Sequence, residues 1–239
     1  MKKKISLSSY TIICLLVLCG FIVAAAGGSR VVTVFSEPSG FISGRRIIID
    51  PGHGWPDGGA SSCTGILESN INLEISLRLE DLFHLLGYHT VMIRTTDCSV
   101  YTSGETIAQR KISDLKERVR IINEADNAIF VSIHQNYFSD NRYHGAQVFY
   151  TGEGESQTLA KQMQFNLVSM LNPGSNRKCK RAEGVYLLNH VNKTGVLVEC
   201  GFISNPEEEE KLRSPEYQKE ICAVIALSVA NFLDLGNVD

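Results

Sequence analysis

The chain has 239 residues, 44% of them hydrophobic, which is enough for one catalytic-size domain with a substantial core and excludes a largely disordered protein. Its formal charge of −3 includes Lys2, Lys3 and Lys4, so the remainder carries −6 and shows no basic stripe; nucleic acid is excluded as an expected partner. Of the seven cysteines, Cys14 and Cys19 fall in an N-terminal apolar segment, and the other five, odd in number and without CxxC spacing, give neither a readable disulfide framework nor a cysteine-only zinc site.

In chain order, MKKK precedes an uncharged stretch from Tyr10 to Ala26, so residues 1–26 read as a signal peptide or membrane anchor. Ala24, Ala25 and Ala26 suit a signal-peptidase cut, while the apolar run falls somewhat short of the ~20 residues that span a bilayer. Leu18 before Cys19 argues against a lipoprotein. Either outcome exports the bulk of the chain, with membrane attachment through this segment as one of the two. Residues 27–44, rich in Gly, Ser, Val and Pro, read as a linker, and 45–237 as the catalytic domain.

Short apolar runs predict strands over Ile47 to Asp50, Tyr88 to Ile93, Ala128 to His134, Ala146 to Tyr150, Val185 to Leu188 and Val196 to Glu199. Between them, Asn70 to Leu86 contains a strictly alternating stretch yet is too long for a typical strand. Its Ile71, Ile75, Leu79, Leu82, Phe83 and Leu86 share one helical face, and Gly87 is a natural stop. Further helices are predicted over Asp114 to Ala125, Ser156 to Leu171, and Ser214 to about Leu233. The acidic run Glu207 to Glu210 reads as a solvated helix start behind Asn205 and Pro206. The pattern predicts an α/β fold: a largely parallel or mixed twisted sheet of about six strands with helices on both faces.

Three apolar runs end on residues that bind metals or move protons. The first ends in DPGHG, with His53 in a glycine-rich loop; the third reaches His134 in SIHQN; the last reaches Glu199 in VECGF. In open α/β sheets ligands bind outside the carboxyl ends of the strands, so the three ends imply one shared site. Glu68, at the entry to the first long helix, completes a His, Glu, His set. That set matches a hydrolytic zinc site, which takes three protein ligands and leaves a position for water, whose pKa falls to about 7. Glu199 is then the candidate base.

The stretches IIIDPGHGWPDGGA, GILES, VSIHQN and VLVECGFISNPEE resemble, in order and separation, those of zinc-dependent N-acetylmuramoyl-L-alanine amidases. The resemblance implies zinc held by His53, Glu68 and His134, a catalytic Glu199, and peptidoglycan as substrate. The single-domain form and the insert DCSVYTSGETIAQRKISDL are similar to the spore-cortex branch of the family. That likeness implies stem-peptide removal during cortex synthesis before muramic-δ-lactam forms, a location at the extracytoplasmic face of the membrane or in the cell wall, with the forespore intermembrane space as the narrower expectation, and room for an accessory protein. Trp55 stands where the family pattern has glycine, either stacking on a sugar or packing on its loop. Asn136 matches the family's asparagine and is a candidate for orienting substrate. Arg94 and Arg118 are either surface residues or partners for substrate carboxylates. Cys63 is set aside as a ligand, as are His84, His89, His144 and His190, and Cys200 should face away from Glu199. A zinc peptidase acting on the stem peptide and a non-catalytic wall-binding protein remain alternatives.

Overall fold

Strand β1 (Arg46–Pro51) carries three consecutive isoleucines because both faces of the sheet are covered. Ile47 and Ile49 pack into one core cluster and Ile48 into another. The computed structural model describes residues 44–235, which lie within one compact unit. The leader and linker expected over residues 1–43 fall outside them.

After β1 come helix α1 (Glu68–Leu85), strand β2 (Thr90–Met92), helix α2 (Ile107–Glu124), strand β3 (Ala128–Asn136) and strand β4 (Gln147–Tyr150). Helix α3 (Glu155–Met170), strand β5 (Lys180–Arg181), helix α4 (Tyr186–His190), strand β6 (Thr194–Phe202), helix α5 (Pro206–Arg213) and helix α6 (Pro215–Leu235) follow. The strands form one six-stranded sheet in the order β2-β1-β3-β6-β4-β5. All neighbours are parallel except β4 against β6, so the mixed α/β sheet expected from the sequence is the one observed. Helices α1, α3 and α6 cover the face of Ile47, Val131 and Val198; α2 and α4 cover that of Ile48, Phe130 and Leu197. Among the described residues, no helix is long and apolar enough to cross a membrane.

Three expectations are corrected. Val185 to Leu188 is not a strand: the chain turns into the short helix α4, which packs Leu187 and Leu188 side by side onto the Phe130 face, a placement that alternation would forbid. The two-residue strand β5 sits instead at Lys180 and Arg181, both exposed and basic, with no apolar signal to betray it. Helix α2 begins at Ile107, not near Asp114, because Thr106 and Gln109 form a capping box, each side chain accepting from the other's backbone N–H. The acidic run in α5 is only half solvated. Glu208 is buried and accepts from the N–H groups of Gly145 and Phe202, and buried Glu209 accepts from Cys63 and Thr64.

Two buried arginines hold the loop that leaves β1. Arg118 of α2 donates to Asp50, to the Pro51 carbonyl (2.8 Å), to the His53 carbonyl and to Asp114 (2.7 Å). Arg94 donates to the carbonyls of Pro51 and Gly52 (both 2.9 Å) and of Ser69 (2.8 Å). Both are buried, so neither is a surface residue; most of their donors go to the backbone that positions His53 and, for Arg118, to Asp50 and Asp114. Burial would raise the Asp50 carboxyl, but Arg118 and the Ser132 hydroxyl (2.6 Å) outweigh it and hold the group below its ordinary range. Arg118→Ala leaves Asp50 buried without its counter-charge. The expected cost is about 3–5 kcal/mol in urea unfolding, and a loss below about 1 kcal/mol, ordinary for a surface change, would contradict the clamp.

Candidate metal centre

His53, Glu68 and His134 come from β1's loop, the start of α1 and the end of β3, and each offers one ligand atom within 4.8 Å of the others. Glu68 lies between the rings. His134 Nδ1 is 2.9 Å from its Oε1 and His53 Nε2 is 3.3 Å from its Oε2. The same carboxylate accepts from Ala60 N (2.9 Å), Gln135 N (3.2 Å) and Asn72 Nδ2 (3.2 Å). Burial pushes the Glu68 carboxyl up, yet the two imidazoles hold it far below the carboxylate range.

His53 occupies the left-handed region at φ 60°, a strained position for a non-glycine residue that Arg118 braces through the His53 carbonyl. Its Nδ1 meets Asp57 Oδ2 at 2.9 Å, and Lys111 steadies the same oxygen at 3.1 Å. A carboxylate on one ring nitrogen fixes the tautomer and leaves Nε2 as the ligand atom. Sequence reasoning missed Asp57, although a carboxylate four residues beyond His53 in the same glycine loop was there to be read. Burial lowers the His53 pKa, but Asp57 and Glu68 raise it to about 9.

Two glycines leave room for this cluster. A Cβ on Gly52 would lie 2.2 Å from His134 Nε2, and one on Gly59, at φ +69°, would lie 2.5 Å from Glu68 Oε2. Beside it, Glu199 is the Cα partner of His134 across β3 and β6. Its Oε2 is shielded from solvent and has no hydrogen-bond partner, while burial raises its pKa to about 7. Two imidazoles, one carboxylate and an orphaned carboxylate oxygen alongside suit a zinc ion with an open position.

The other candidates divide clearly. The Trp55 ring is 64% exposed, so packing on its loop is not its role. Asn136 ends β3 at the register shift beyond His134, and its carbonyl accepts from Ile203 N. Cys63 contacts Glu209, not the metal cluster, and Cys200 lies in the core on the face opposite Glu199. Neither His84, on Thr90, nor His144, on the Arg142 carbonyl, belongs to the cluster; His190 stacks on Tyr186 at 4.0 Å.

A mixed nitrogen and oxygen ligand set gathered at the carboxyl ends of central parallel strands, beside a buried carboxylate, defines an α/β protein with a site able to hold a metal ion. Residues 47–231 match the N-acetylmuramoyl-L-alanine amidase family. The sequence is 37% identical to the germination-specific N-acetylmuramoyl-L-alanine amidase of Bacillus subtilis (strain 168), over 80% of this chain and 81% of that protein. Among solved structures, it is similar to the CwlD amidase from Clostridioides difficile in complex with the GerS lipoprotein. That match has a TM-score of 0.77 and 35% identity, covering 80% of this chain and 99% of the other. An N-acetylmuramoyl-L-alanine amidase from Clostridium difficile 630 matches with a TM-score of 0.68 and 28% identity, over 80% and 97% of the two chains. The chain belongs to the N-acetylmuramoyl-L-alanine amidase family and is an enzyme of that class.

Metal affinity should follow His53. With its pKa near 9 in the metal-free protein, a proton must leave Nε2 before a cation binds, so affinity rises with pH up to about that value. Zinc titrations at pH 6 and 8 should differ by about 100-fold, one proton per unit of pH; equal affinities would show that binding displaces no proton from His53 and contradict its raised pKa.

Proposed function

We propose that this enzyme is a zinc-dependent amidase of peptidoglycan, hydrolysing the bond between the lactyl group of N-acetylmuramic acid and L-alanine. The observation that carries the reading is the orphaned Glu199 oxygen beside a three-residue ligand cluster, within a chain of this family. His53, Glu68 and His134 would hold the metal. When bound, zinc supplies Lewis acidity to water and to the scissile carbonyl.

Glu199 moves the proton. Its carboxylate accepts one from the attacking water as the carbon–oxygen bond forms, then delivers it to the amide nitrogen as the carbon–nitrogen bond breaks. The products are a lactyl carboxylate and the free amine of the peptide. A pKa raised to about 7 by burial suits both halves of this exchange near neutral pH. Asp57 and Lys111 keep the His53 ring in place, and exposed Trp55 offers a face for a sugar. Asn136, at the end of the His134 strand, is assigned to orienting the substrate.

The similarity to a germination-specific amidase and to the CwlD amidase supports removal of stem peptides in spore cortex, ahead of muramic-δ-lactam formation. It likewise supports action outside the cytoplasmic membrane. That the CwlD amidase was solved with a lipoprotein supports an accessory protein here too. Glu199→Ala should fold and retain zinc yet release no intact stem peptide from sacculi, read by mass spectrometry of the digest; undiminished release would remove Glu199 from the mechanism, and products cut within the peptide would indicate a peptidase.

A further inference from the structure

The cleft bordering His53, His134 and Asp57 holds about 230 Å³, less than the roughly 300–1,000 Å³ of a typical ligand pocket. The substrate must therefore extend beyond it. A second cavity, of about 810 Å³, borders β4 and β5, the strands that follow β6 in the sheet, and is lined by Arg142, Arg177, Lys178 and Lys180 with Asp140 as its one carboxylate. Asp140 is fully engaged by Arg142, through Nε at 2.9 Å and Nη2 at 2.6 Å.

Arg177 is the built element. Its Nε donates to the His144 carbonyl (2.8 Å), its Nη1 to Gln147 Oε1 (3.1 Å), and its guanidinium lies 4.7 Å above the centre of the Phe202 ring. All three partners are neutral. Among the described residues, no carboxylate lies within salt-bridge distance of Arg177, Lys178 or Lys180; the buried Glu208, already held by the N–H groups of Gly145 and Phe202, acts on Arg177 only through space, and no hydrogen bond engages Arg177 Nη2. A guanidinium oriented by neutral groups, with one edge open and two lysines nearby, is a pre-organised anion site.

Its place relative to the catalytic residues is set by the sheet. Gln147, which lines the cavity and anchors Arg177, is the Cα partner of Glu199; Lys180 begins β5, one strand further out. One to two strand spacings put the cations roughly 5–10 Å from the Glu199 strand, a distance that an extended peptide covers in about two to three residues. Given the amidase reading, on which this inference rests, we propose that this cavity binds a free carboxylate on the second or third residue of the leaving stem peptide. The uncharged sugar has no need of such a cluster.

The test is binding to the zinc-loaded full chain of an acidic tripeptide starting in L-alanine, with free carboxylates on residues two and three, against the same peptide with both amidated. The acid form should bind about tenfold more tightly, the worth of one charge-assisted hydrogen bond. Arg177→Gln and the surface pair Lys178→Gln with Lys180→Gln should each bring that ratio toward one; the lysine pair guards against a packing defect over Phe202. A ratio of one in the unmodified protein, or a tenfold ratio that survives both variants, would overturn the subsite. Displacement of the peptide by equimolar inorganic phosphate would do the same, marking a general phosphate site. Peptide release from sacculi is scored separately: absent release with an intact ratio removes the amidase reading alone, and release with a ratio of one removes the subsite alone.

Discussion

The Glu68 carboxylate between two imidazoles is the interaction around which this fold is arranged. A buried carboxylate is costly unless its lone pairs are satisfied, and Glu68 meets ring nitrogens from two other elements and N–H groups from three further residues. The donors arrive by four routes. His134 and the Gln135 amide come from β3, Ala60 from the glycine loop, Asn72 from one turn along α1, and His53 from a backbone conformation that most residues avoid. The arrangement therefore ties helix, strand and loop together at one point, and a bound cation relieves the same charge.

Outside that point, the scaffold works as a set of braces. Arg94 and Arg118 approach the β1 loop from below and bind consecutive carbonyls from Pro51 to His53, so the loop has little freedom despite its four glycines. The glycines at 52 and 59 supply absence of bulk where imidazole and carboxylate crowd the backbone. Gln135 Nε2 donates to Asn72 Oδ1, which links the strand after His134 to the helix of Glu68. Glu199 is the counterpart: held by strand pairing alone, it has a shielded oxygen with no partner, the state in which a carboxylate is ready to exchange a proton.

Much of this was legible in the sequence, for identifiable reasons. Strands buried on both faces leave apolar runs, and those of β1, β3 and β6 end on the residues that meet at the site. Helix α1 was readable through its 3.6-residue face despite a locally alternating stretch. What escaped was structure whose cause lies elsewhere in the chain. Strand β5 is two basic residues recruited by β4, α4 is shaped by the surface it lands on, and Arg94, Arg118, Glu208 and Glu209 read as surface charges because most of their partners lie far away in the chain. The capping box at Thr106 and the carboxylate of Asp57 were local signals that could have been used. Domain boundaries before residue 44 belong to expectation alone.

The central claim is that His53, Glu68 and His134 form one zinc site. Diffraction from zinc-loaded crystals, recorded on either side of the zinc absorption edge, tests it most directly. The account requires a single anomalous peak bounded by the His53 and His134 rings and the Glu68 carboxylate, with Glu199 alongside. A peak held by other side chains, or none in protein that carries stoichiometric zinc, would contradict it.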